Sequence, residues 1–249
     1  MSRLSHLFAF SFAAVFCASA SLASTSCENK SFDGIRYTAC TVDVAEADLR
    51  LFLNDANGEK YGQFTAVETA LNATGERLVF AMNGGMYHDD REPVGHYLEN
   101  GREVMRVIPN AGPGNFGLLP NGVFCIRETR ADVIETLTYQ ANRPDCQYAT
   151  QSGPMLVIDG ALHPRFLIDS TSRHIRNGVG TTEDGQTAVF VISDDPTTFH
   201  EFGRIFRDDL KMPQALFLDG RVSRLYAPSL DRFDFGRWMG PIVGVVTPQ

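Results

Sequence analysis

The chain has 249 residues, which is enough for one large domain or two small ones. Hydrophobic residues make up 43% of it, an ordinary fraction for a globular protein and too high for a disordered one. The formal net charge of −8 argues against a nucleic-acid surface as the main partner, although a local pair of arginines can still hold a phosphate group inside an acidic protein.

The first 23 residues have the pattern of a secretory signal peptide. Arg3 provides a positive start, residues 7–17 form an apolar run, and Ser21-Leu22-Ala23 fits the small-x-small cleavage pattern. A membrane anchor is the alternative, but the run is short for a span. We therefore expect a signal peptide over 1–23 and one mature domain over 24–249. That domain would have no integral membrane segment, would be periplasmic or secreted, and would carry a net charge of −9, since cleavage removes Arg3 and no acid.

Cleavage would also remove Cys17 and leave an even number of cysteines, which in an exported chain indicates disulfides. The remaining four allow three pairings. We favour Cys27–Cys40 and Cys125–Cys146, because each would tie a loop to an adjacent strand. A zinc site is the alternative, but the spacing lacks any CxxC and export favours oxidation.

The first half of the chain predicts strands with one helix between them. Period-two alternation and β-branched residues indicate the strands, and apolar residues at helical spacing indicate the helix. Paired runs around Pro120-Asn121-Gly122 predict a hairpin. The predicted elements are strands over 35–44 and 49–53, a helix over 64–71, a strand ending at Asn83, two short strands within 94–108, and hairpin strands over 116–119 and 123–126.

The second half predicts two helices among further strands. Apolar residues on one side predict a helix over 131–139. The clearest helix follows Asp194, because Asp195 can cap it and Pro196 suits its first position. Many strands with about three helices predict a single α+β domain with a mixed, mostly antiparallel β-sheet. The predicted strands of this half are 155–158, 189–192, a run that ends at Asp219, and 242–246.

Two of the buried strands end in a tight glycine turn after a polar residue. The first ends at Asn83, before Gly84 and Gly85, and the second ends at Asp219, before Gly220. A core strand has no structural need for these side chains at its exit, and strand ends are where rigid scaffolds commonly present chemistry. We therefore expect the two ends to meet in one pocket.

Four motifs in this order resemble the signatures of the phosphodiester glycosidase family. They are VFAMNGGMY at 79–87, QSGPMLV at 151–157, RNGVG at 176–180, and ALFLDG at 215–220 with Ser223. The resemblance covers about residues 37–246, and it implies that family's fold and cleavage of a sugar-1-phosphodiester. The chain departs from the family's pattern at Asn177-Gly178 and Arg221-Val222, and it is similar to a bacterial branch of exported proteins.

The reaction that this resemblance implies builds positive charge on the sugar ring and negative charge on the leaving phosphate. Asp219 is the candidate carboxylate, as base, nucleophile or charge stabiliser, and Ser223 would orient it. The alternative for Asp219 is a turn cap in Asp-Gly. Arg176 would clamp the phosphate, with help from Arg173, because a guanidinium offers a fork of donors. The alternative for both is a solvated loop arginine.

The remaining candidates would contact the substrate or act as an acid. Asn83 with its two glycines could offer an amide and backbone NH groups to an oxyanion, or could form a plain turn. His96 could be a catalytic acid, although a lone histidine is more often structural. The residues expected to bind substrate are Gly84, Gly85, Gln151, Ser152, Arg173, Asn177 and Ser223.

Other hydrolase classes fit less well. No Gly-x-Ser-x-Gly is present and Ser152 has no identifiable partner, which disfavours a serine hydrolase. Gly112-Pro113-Gly114 lacks the lysine and the helix of a phosphate loop. We predict no cofactor, although a divalent metal held by Asp219, Glu92 and the histidines stays open.

The sequence therefore predicts an exported hydrolase that cleaves the glycosidic bond of a sugar-1-phosphodiester or a related cell-envelope glycan. Its partner would be a glycan or sugar-phosphate substrate, and not a nucleic acid. Two alternatives stay open, a periplasmic glycan-binding protein without activity and a metal-dependent phosphodiesterase. Turnover separates the first alternative from a hydrolase, and sensitivity to EDTA separates the second.

Overall fold

The strands of this protein pair antiparallel throughout the part of the chain that the structure, a computed structural model, describes: residues 24–219 and 222–249. The predicted signal peptide over 1–23, with Cys17, and the turn residues Gly220 and Arg221 lie outside the described residues.

The described elements comprise seventeen strands and three α-helices. The strands are β1 (Thr25–Phe32), β2 (Ile35–Asp43), β3 (Asp48–Phe52), β4 (Glu76–Asn83), β5 (Tyr97–Glu99), β6 (Arg102–Met105), β7 (Gly122–Ile126), β8 (Ala131–Glu135), β9 (Tyr148–Ser152), β10 (Met155–Ile158), β11 (Ala161–Leu162), β12 (Asn177–Thr181), β13 (Thr187–Ser193), β14 (Gln214–Asp219), β15 (Leu225–Ala227), β16 (Arg232–Phe233) and β17 (Ile242–Pro248). The helices are α1 (Phe64–Asn72), α2 (Thr136–Asn142) and α3 (Phe199–Arg204), with a π-helical turn at Ile205–Asp209 and a 3₁₀ turn at Pro228–Leu230.

Three sheets share these strands. The first has the order β1-β2-β13-β12-β14-β10-β11, the second β16-β15-β4-β17-β3, and the third β6-β5-β9-β7-β8. The predicted α+β class, a single domain of mostly antiparallel strands with three helices, is confirmed. No helix within 24–219 and 222–249 is long and apolar enough to cross a membrane.

The centre of the core is a contact between all three sheets. Phe190 of β13 lies 5.0 Å from the Phe80 ring of β4 and 5.6 Å from the Phe124 ring of β7, measured between ring centroids. All three rings are fully buried. Each such aromatic pair contributes about 0.5–1.5 kcal/mol beyond the apolar area that it buries. The three sheets are therefore held together by shared packing and not only by chain connections.

The helix predicted over 131–139 is wrong in its first half. Residues 131–135 form β8, which pairs with β7, and α2 starts only at Thr136. The Glu135 carboxylate caps α2 by accepting hydrogen bonds from the NH groups of Leu137 and Thr138. β-branched residues favour a strand here, and the apolar run is too short for its period to distinguish the two structures.

The hairpin predicted around Pro120-Asn121-Gly122 is also wrong. Residues 116–119 form turns, and β7 pairs with β8 and β9 instead. The buried Asn121 side chain holds this turn, because it donates to the Phe116 carbonyl and accepts from the Thr136 hydroxyl. A tertiary pairing thus replaces the local one that the turn residues favour.

Helix α3 begins three residues later than predicted. Its cap is Thr198, whose hydroxyl accepts from the Glu201 NH at 3.2 Å while Glu201 accepts from the Thr198 NH at 2.9 Å. This reciprocal arrangement is a capping box. Asp195 is therefore not the cap, and it forms an ion pair with Arg36 at 2.7 Å.

The two predicted disulfides are confirmed as Cys27–Cys40 and Cys125–Cys146. Cys27 lies in β1, a strand that the sequence pattern did not reveal, directly opposite Cys40 of β2. Cys125 of β7 is joined to a loop residue before β9. Such cross-links are typical of proteins that fold in an oxidising compartment.

Candidate active site

The two polar strand ends meet at the boundary between the first and second sheets. Asn177, the first residue of β12, donates its side-chain amide to the Asn83 carbonyl oxygen Oδ1 at the end of β4. Its own Oδ1 accepts from the Asp219 backbone NH at 2.8 Å, at the end of β14. The Arg224 backbone NH also donates to Asn83 Oδ1, at 3.0 Å. Two donors on one oxygen fix the orientation of the Asn83 amide.

A β-bulge sets the position of Asp219. In the pairing of β12 with β14, Asn177 faces Asp219 and Gly178 faces Phe217, so Leu218 is the extra residue. A bulge bends its strand and changes the direction of the side chains that follow it, and bulges are frequent beside active sites. The Asp219 side chain is therefore placed by the register of the sheet as well as by its own turn.

Two predicted serines hold the backbone of this strand end. The Ser152 hydroxyl donates to the Leu218 carbonyl at 2.8 Å. The Ser223 hydroxyl lies 3.0 Å from the Asp219 carbonyl and 3.1 Å from the Ile175 carbonyl. Both serines therefore hold the backbone at the bulge. Orientation of the Asp219 carboxylate by Ser223 and substrate binding by either serine stay predictions.

Asp219 lines a cavity of about 980 Å³, at the upper end of the range for ligand pockets. The other lining residues come from three segments, 86–94, 113–116 and 237–238, with Val222 beside Asp219. Of the two strand ends, Asp219 lines this cavity, whereas Asn83 is fully buried and is not among the lining residues.

Tyr87 lines this cavity, and the pKa of its phenol depends on the charged groups nearby. Burial raises the pKa of Tyr87, and the Asp219 carboxylate raises it further, while Arg91, Arg224 and Arg237 lower it. One carboxylate and three guanidinium groups therefore lie close to the same phenol. Asn83 Nδ2 is also buried here without a hydrogen-bond partner among the described residues.

One wall of the cavity is the loop of residues 234–239, called the wall loop below. The indole of Trp238 lies against Gly62, where a Cβ atom would come within 2.5 Å of the ring. A backbone NH of the wall loop donates to the Gly62 carbonyl at 2.9 Å, and Gln63 Nε2 donates to the Gly236 carbonyl at 3.0 Å. The wall loop is thus bonded to the segment that leads into α1.

The glycine turn after Asn83 is packed closely against its neighbours. Gly85 has φ 157°, and a Cβ there would lie 2.6 Å from Thr150 Oγ1. The Gly84 NH donates to the Pro241 carbonyl at 2.7 Å, so it already has an acceptor. Close packing accounts for both glycines, and their contact with an oxyanion stays a prediction.

Arg176 is buried beneath the site and does not line the Asp219 cavity. Its Nε donates to the Thr197 carbonyl at 2.9 Å and its Nη2 to the Ser172 carbonyl at 3.1 Å. The guanidinium carbon lies 3.8 Å from the centre of the Phe199 ring. Burial lowers the pKa of Arg176 to about 10. These contacts hold the start of α3 and the segment that precedes it. Phosphate binding by Arg176 stays a prediction.

Arg173 lies on the surface beside α3. Its two terminal nitrogens bond both oxygens of the Glu201 carboxylate, at 2.9 and 2.6 Å. Since Glu201 also completes the α3 capping box with Thr198, this ion pair extends the cap. Substrate binding by Arg173 stays a prediction.

His96 and Gln151 lie together, and His96 lines a different cavity, of about 560 Å³. His96 Nδ1 donates to the Met105 carbonyl at 2.9 Å, which leaves Nε2 to accept from the Tyr139 hydroxyl at 3.0 Å. Gln151 Oε1 accepts from the His96 NH and the Ile108 NH at 3.0 and 2.9 Å. The structure does not bring these side chains to the Asp219 cavity, and their roles in chemistry stay predictions.

Several residues at the cavity were not identified from the sequence. Tyr87 closes the first motif, and Arg224 follows the serine of the fourth, so proximity to a motif was an available signal. Arg237 precedes the chain's only tryptophan, another such signal. Arg91 had no signal in its loop. Among residues 24–219 and 222–249, no group of three or more His, Cys, Asp and Glu side chains is arranged to hold a metal ion.

The chain resembles three known proteins over most of its length. It is 35% identical to the uncharacterized protein YigE of Escherichia coli K12 over an alignment of 188 residues, which spans 76% of this chain and 73% of the relative. The catalytic domain of zebrafish N-acetylglucosamine-1-phosphodiester alpha-N-acetylglucosaminidase, auto-inhibited by its pro-peptide, has a TM-score of 0.61 at 12% identity, over 91% of this chain and 85% of that one. A hypothetical protein from Synechocystis has a TM-score of 0.59 at 13% identity, over 89% of this chain and 61% of that one.

The two structural likenesses show a shared fold. The sequence profile of the phosphodiester glycosidases matches residues 76–237, which is more than half of the chain and contains Asn83, Asn177 and Asp219. The chain therefore belongs to the phosphodiester glycosidase family.

Proposed function

We propose that this protein is an exported hydrolase that cleaves the glycosidic bond of a sugar-1-phosphodiester or a related cell-envelope glycan. The observation that carries the proposal is the Asp219 side chain, which a bulged strand end presents to a cavity of about 980 Å³ beside cationic side chains. Family membership and the named activity of the zebrafish relative support it. The two disulfides support export.

The proposed reaction adds water across the bond between the anomeric carbon and the phosphate oxygen. That bond breaks, its electron pair leaves with the phosphate, and the products are the free sugar and a phosphomonoester. The sugar ring carries positive charge in the transition state, and a carboxylate in contact with it lowers the barrier. Asp219 supplies that charge, either as the nucleophile or by taking a proton from the attacking water.

The asparagines and serines of the site hold this carboxylate in place. Asn177 bonds the Asp219 backbone NH and Asn83, and Ser152 and Ser223 bond the consecutive carbonyls of Leu218 and Asp219. A strand end whose backbone is held by these bonds presents its side chain in a defined position before the substrate arrives. Such preorganisation is what electrostatic catalysis requires.

The test compares the mature protein with its Asp219→Asn variant on a panel of sugar-1-phosphodiesters, with and without EDTA. We expect the wild-type protein to release free sugar and the variant to be about 10²–10⁴-fold slower. Asp231→Asn is the matched control, because Asp231 is exposed at φ 54° in a conformation that asparagine also tolerates. Thermal unfolding of each variant checks that folding is preserved.

Each other outcome contradicts a part of the proposal. Full activity in Asp219→Asn would refute the role of this carboxylate. Saturable binding of glycans without turnover on any substrate would instead identify a binding protein. Turnover that EDTA abolishes and that leaves the glycoside intact would identify a metal-dependent phosphodiesterase.

A further inference from the structure

We propose that Arg91 and Arg237 form an anion-binding subsite in the Asp219 cavity and hold the phosphate group of the substrate. The two residues come from separate segments, the loop after β4 and the wall loop, and both line the cavity. The inference rests on the proposed function for the identity of the anion. The binding of a phosphate group by this pair is measurable without turnover.

Within residues 24–219 and 222–249, Arg91 and Arg237 are not members of any described ion pair. Some arginines elsewhere in the fold are paired, for example Arg130 and Arg232, which have carboxylate oxygens at 2.8 and 2.7 Å. A guanidinium kept beside a cavity without a carboxylate partner has its donors available for an anionic ligand.

Arg91 keeps unused hydrogen-bonding capacity at the cavity. One of its terminal nitrogens donates to the Asp89 carbonyl, and its guanidinium lies 5.8 Å from the centre of the Tyr87 ring. Its Nε is buried and has no hydrogen-bond partner among the described residues. A buried donor without an acceptor costs free energy, and a ligand oxygen would remove that cost once a shift of the side chain exposes the donor to the cavity.

Arg237 is held at the cavity by the backbone of its loop. The buried guanidinium of Arg224 donates to the Arg237 carbonyl at 2.7 Å, to the Asp234 carbonyl at 3.0 Å and to Gln63 Oε1 at 2.7 Å. Arg224 therefore uses its donors to hold the wall loop and Gln63, and it acts as a positioning residue. The Arg237 side chain remains exposed at the cavity.

The balance of charge explains why an anion site needs both arginines. Asp219 and Asp89 face the same cavity as the two arginines, with His88 beside them. A phosphate brought next to the Asp219 carboxylate is repelled by it, and the repulsion increases as the leaving group gains charge. Two guanidinium groups offset this repulsion and stabilise the leaving phosphate with charge-assisted hydrogen bonds.

The test measures binding of inorganic phosphate and of glucose 1-phosphate by calorimetry to the full mature chain. Arg91→Gln and Arg237→Gln are each expected to weaken binding about tenfold, the effect of losing hydrogen bonds to a charged group. Arg77→Gln is the matched control, since it removes the same charge from an exposed position at the other end of β4. Its affinity should equal that of the wild-type protein.

The outcomes separate this inference from the proposed function. Wild-type affinity in both cavity variants, or no saturable binding of either probe to the wild-type protein, would overturn the subsite whatever the activity. Binding that depends on Arg91 and Arg237 but not on Arg77, in a protein that hydrolyses nothing, would support the subsite and refute the hydrolase. Equal loss of affinity in all three variants would show a general charge effect and overturn the inference.

Discussion

At the scale of single residues, the position of Asp219 depends on a fully buried asparagine pair, Asn83 and Asn177. Asn177 is the only contact described between the Asn83 amide and the Asp219 backbone, and it uses its donor on one and its acceptor on the other. An aspartate could not make both bonds while ionised, because it offers no donor. The amide is therefore required for its two-sided hydrogen bonding and not only for its size.

His96 provides a pH-dependent contribution to stability. Burial lowers the pKa of His96 from its ordinary value of 6.5, against smaller opposing effects of the Met105 carbonyl and Glu103. The unfolded chain therefore binds a proton before the folded one, so this stability is complete above pH 6.5 and declines as pH falls below it. We expect the unfolding free energy of His96→Gln to fall less between about pH 7.5 and about pH 5 than that of the wild-type protein.

Urea unfolding at several pH values measures this effect. His200→Gln, at a half-buried position on α3, is the control for removing a histidine elsewhere in the fold. An unchanged pH dependence in His96→Gln would contradict the expectation. Activity of the folded variant tests the separate prediction that His96 is a catalytic acid, since a purely structural histidine leaves the rate per folded molecule intact.

At the scale of elements, α3 connects its cap to the buried Arg176. Thr198 caps the helix, and the carbonyl of the preceding Thr197 accepts from Arg176 Nε. The helix then passes into the π-helical turn at Ile205–Asp209, and its aromatic residues Phe202 and Phe206 are fully buried. A six-residue helix is too short to be stable alone, so its cap and the packing of its aromatic side chains stabilise it.

Thr198→Ala is expected to lower the unfolding free energy by about 1 kcal/mol, because it removes the acceptor for the Glu201 NH. Thr65→Ala is the matched control. Thr65 is exposed in the first turn of α1, where alanine is at least as favourable. Chemical denaturation measures both variants. Equal stability of Thr198→Ala and Thr65→Ala would show that the capping box contributes nothing measurable.

The strand ends could be predicted from the sequence because the signal is local. An apolar run that stops at a polar residue before glycine is visible in a few residues around Asn83 or Asp219. The link through Asn177 was not visible, because it depends on the pairing of β12 with β14 and on a one-residue bulge. Arg237 was missed for a related reason, since its loop is placed at the cavity by contacts with residues distant in sequence, among them Gly62 and Gln63.

At the scale of the whole molecule, a shared core joins the three sheets, and each disulfide reinforces one of them. The Phe80, Phe124 and Phe190 rings bring one strand of each sheet together. Cys125–Cys146 closes a sequence separation of 21 residues in the third sheet, and Cys27–Cys40 closes one of 13 in the first. Because the site lies between the first and second sheets, it depends on the packing of the entire domain.

We expect the double variant Cys125→Ala, Cys146→Ala to lower the unfolding free energy by about 3 kcal/mol, the loop-closure value for a separation of this size. Alanine avoids placing a hydroxyl in the buried positions. Urea denaturation without reductant measures the loss. Repeating the denaturation of the variant with reductant then measures how much the remaining Cys27–Cys40 bond contributes to the unfolding free energy. A variant as stable as the wild-type protein would contradict the assignment of a stabilising role to this bond.

The contact of Trp238 with Gly62 has a consequence for binding thermodynamics. The indole occupies space that any side chain at position 62 would fill, and backbone hydrogen bonds hold the same loop. A cavity wall that is already ordered loses little conformational entropy when a ligand binds. The binding free energy should then depend mainly on the contacts that a ligand makes with the cavity. A rigid ligand and a flexible ligand that make the same contacts should differ in affinity only by the conformational entropy that each ligand loses on binding.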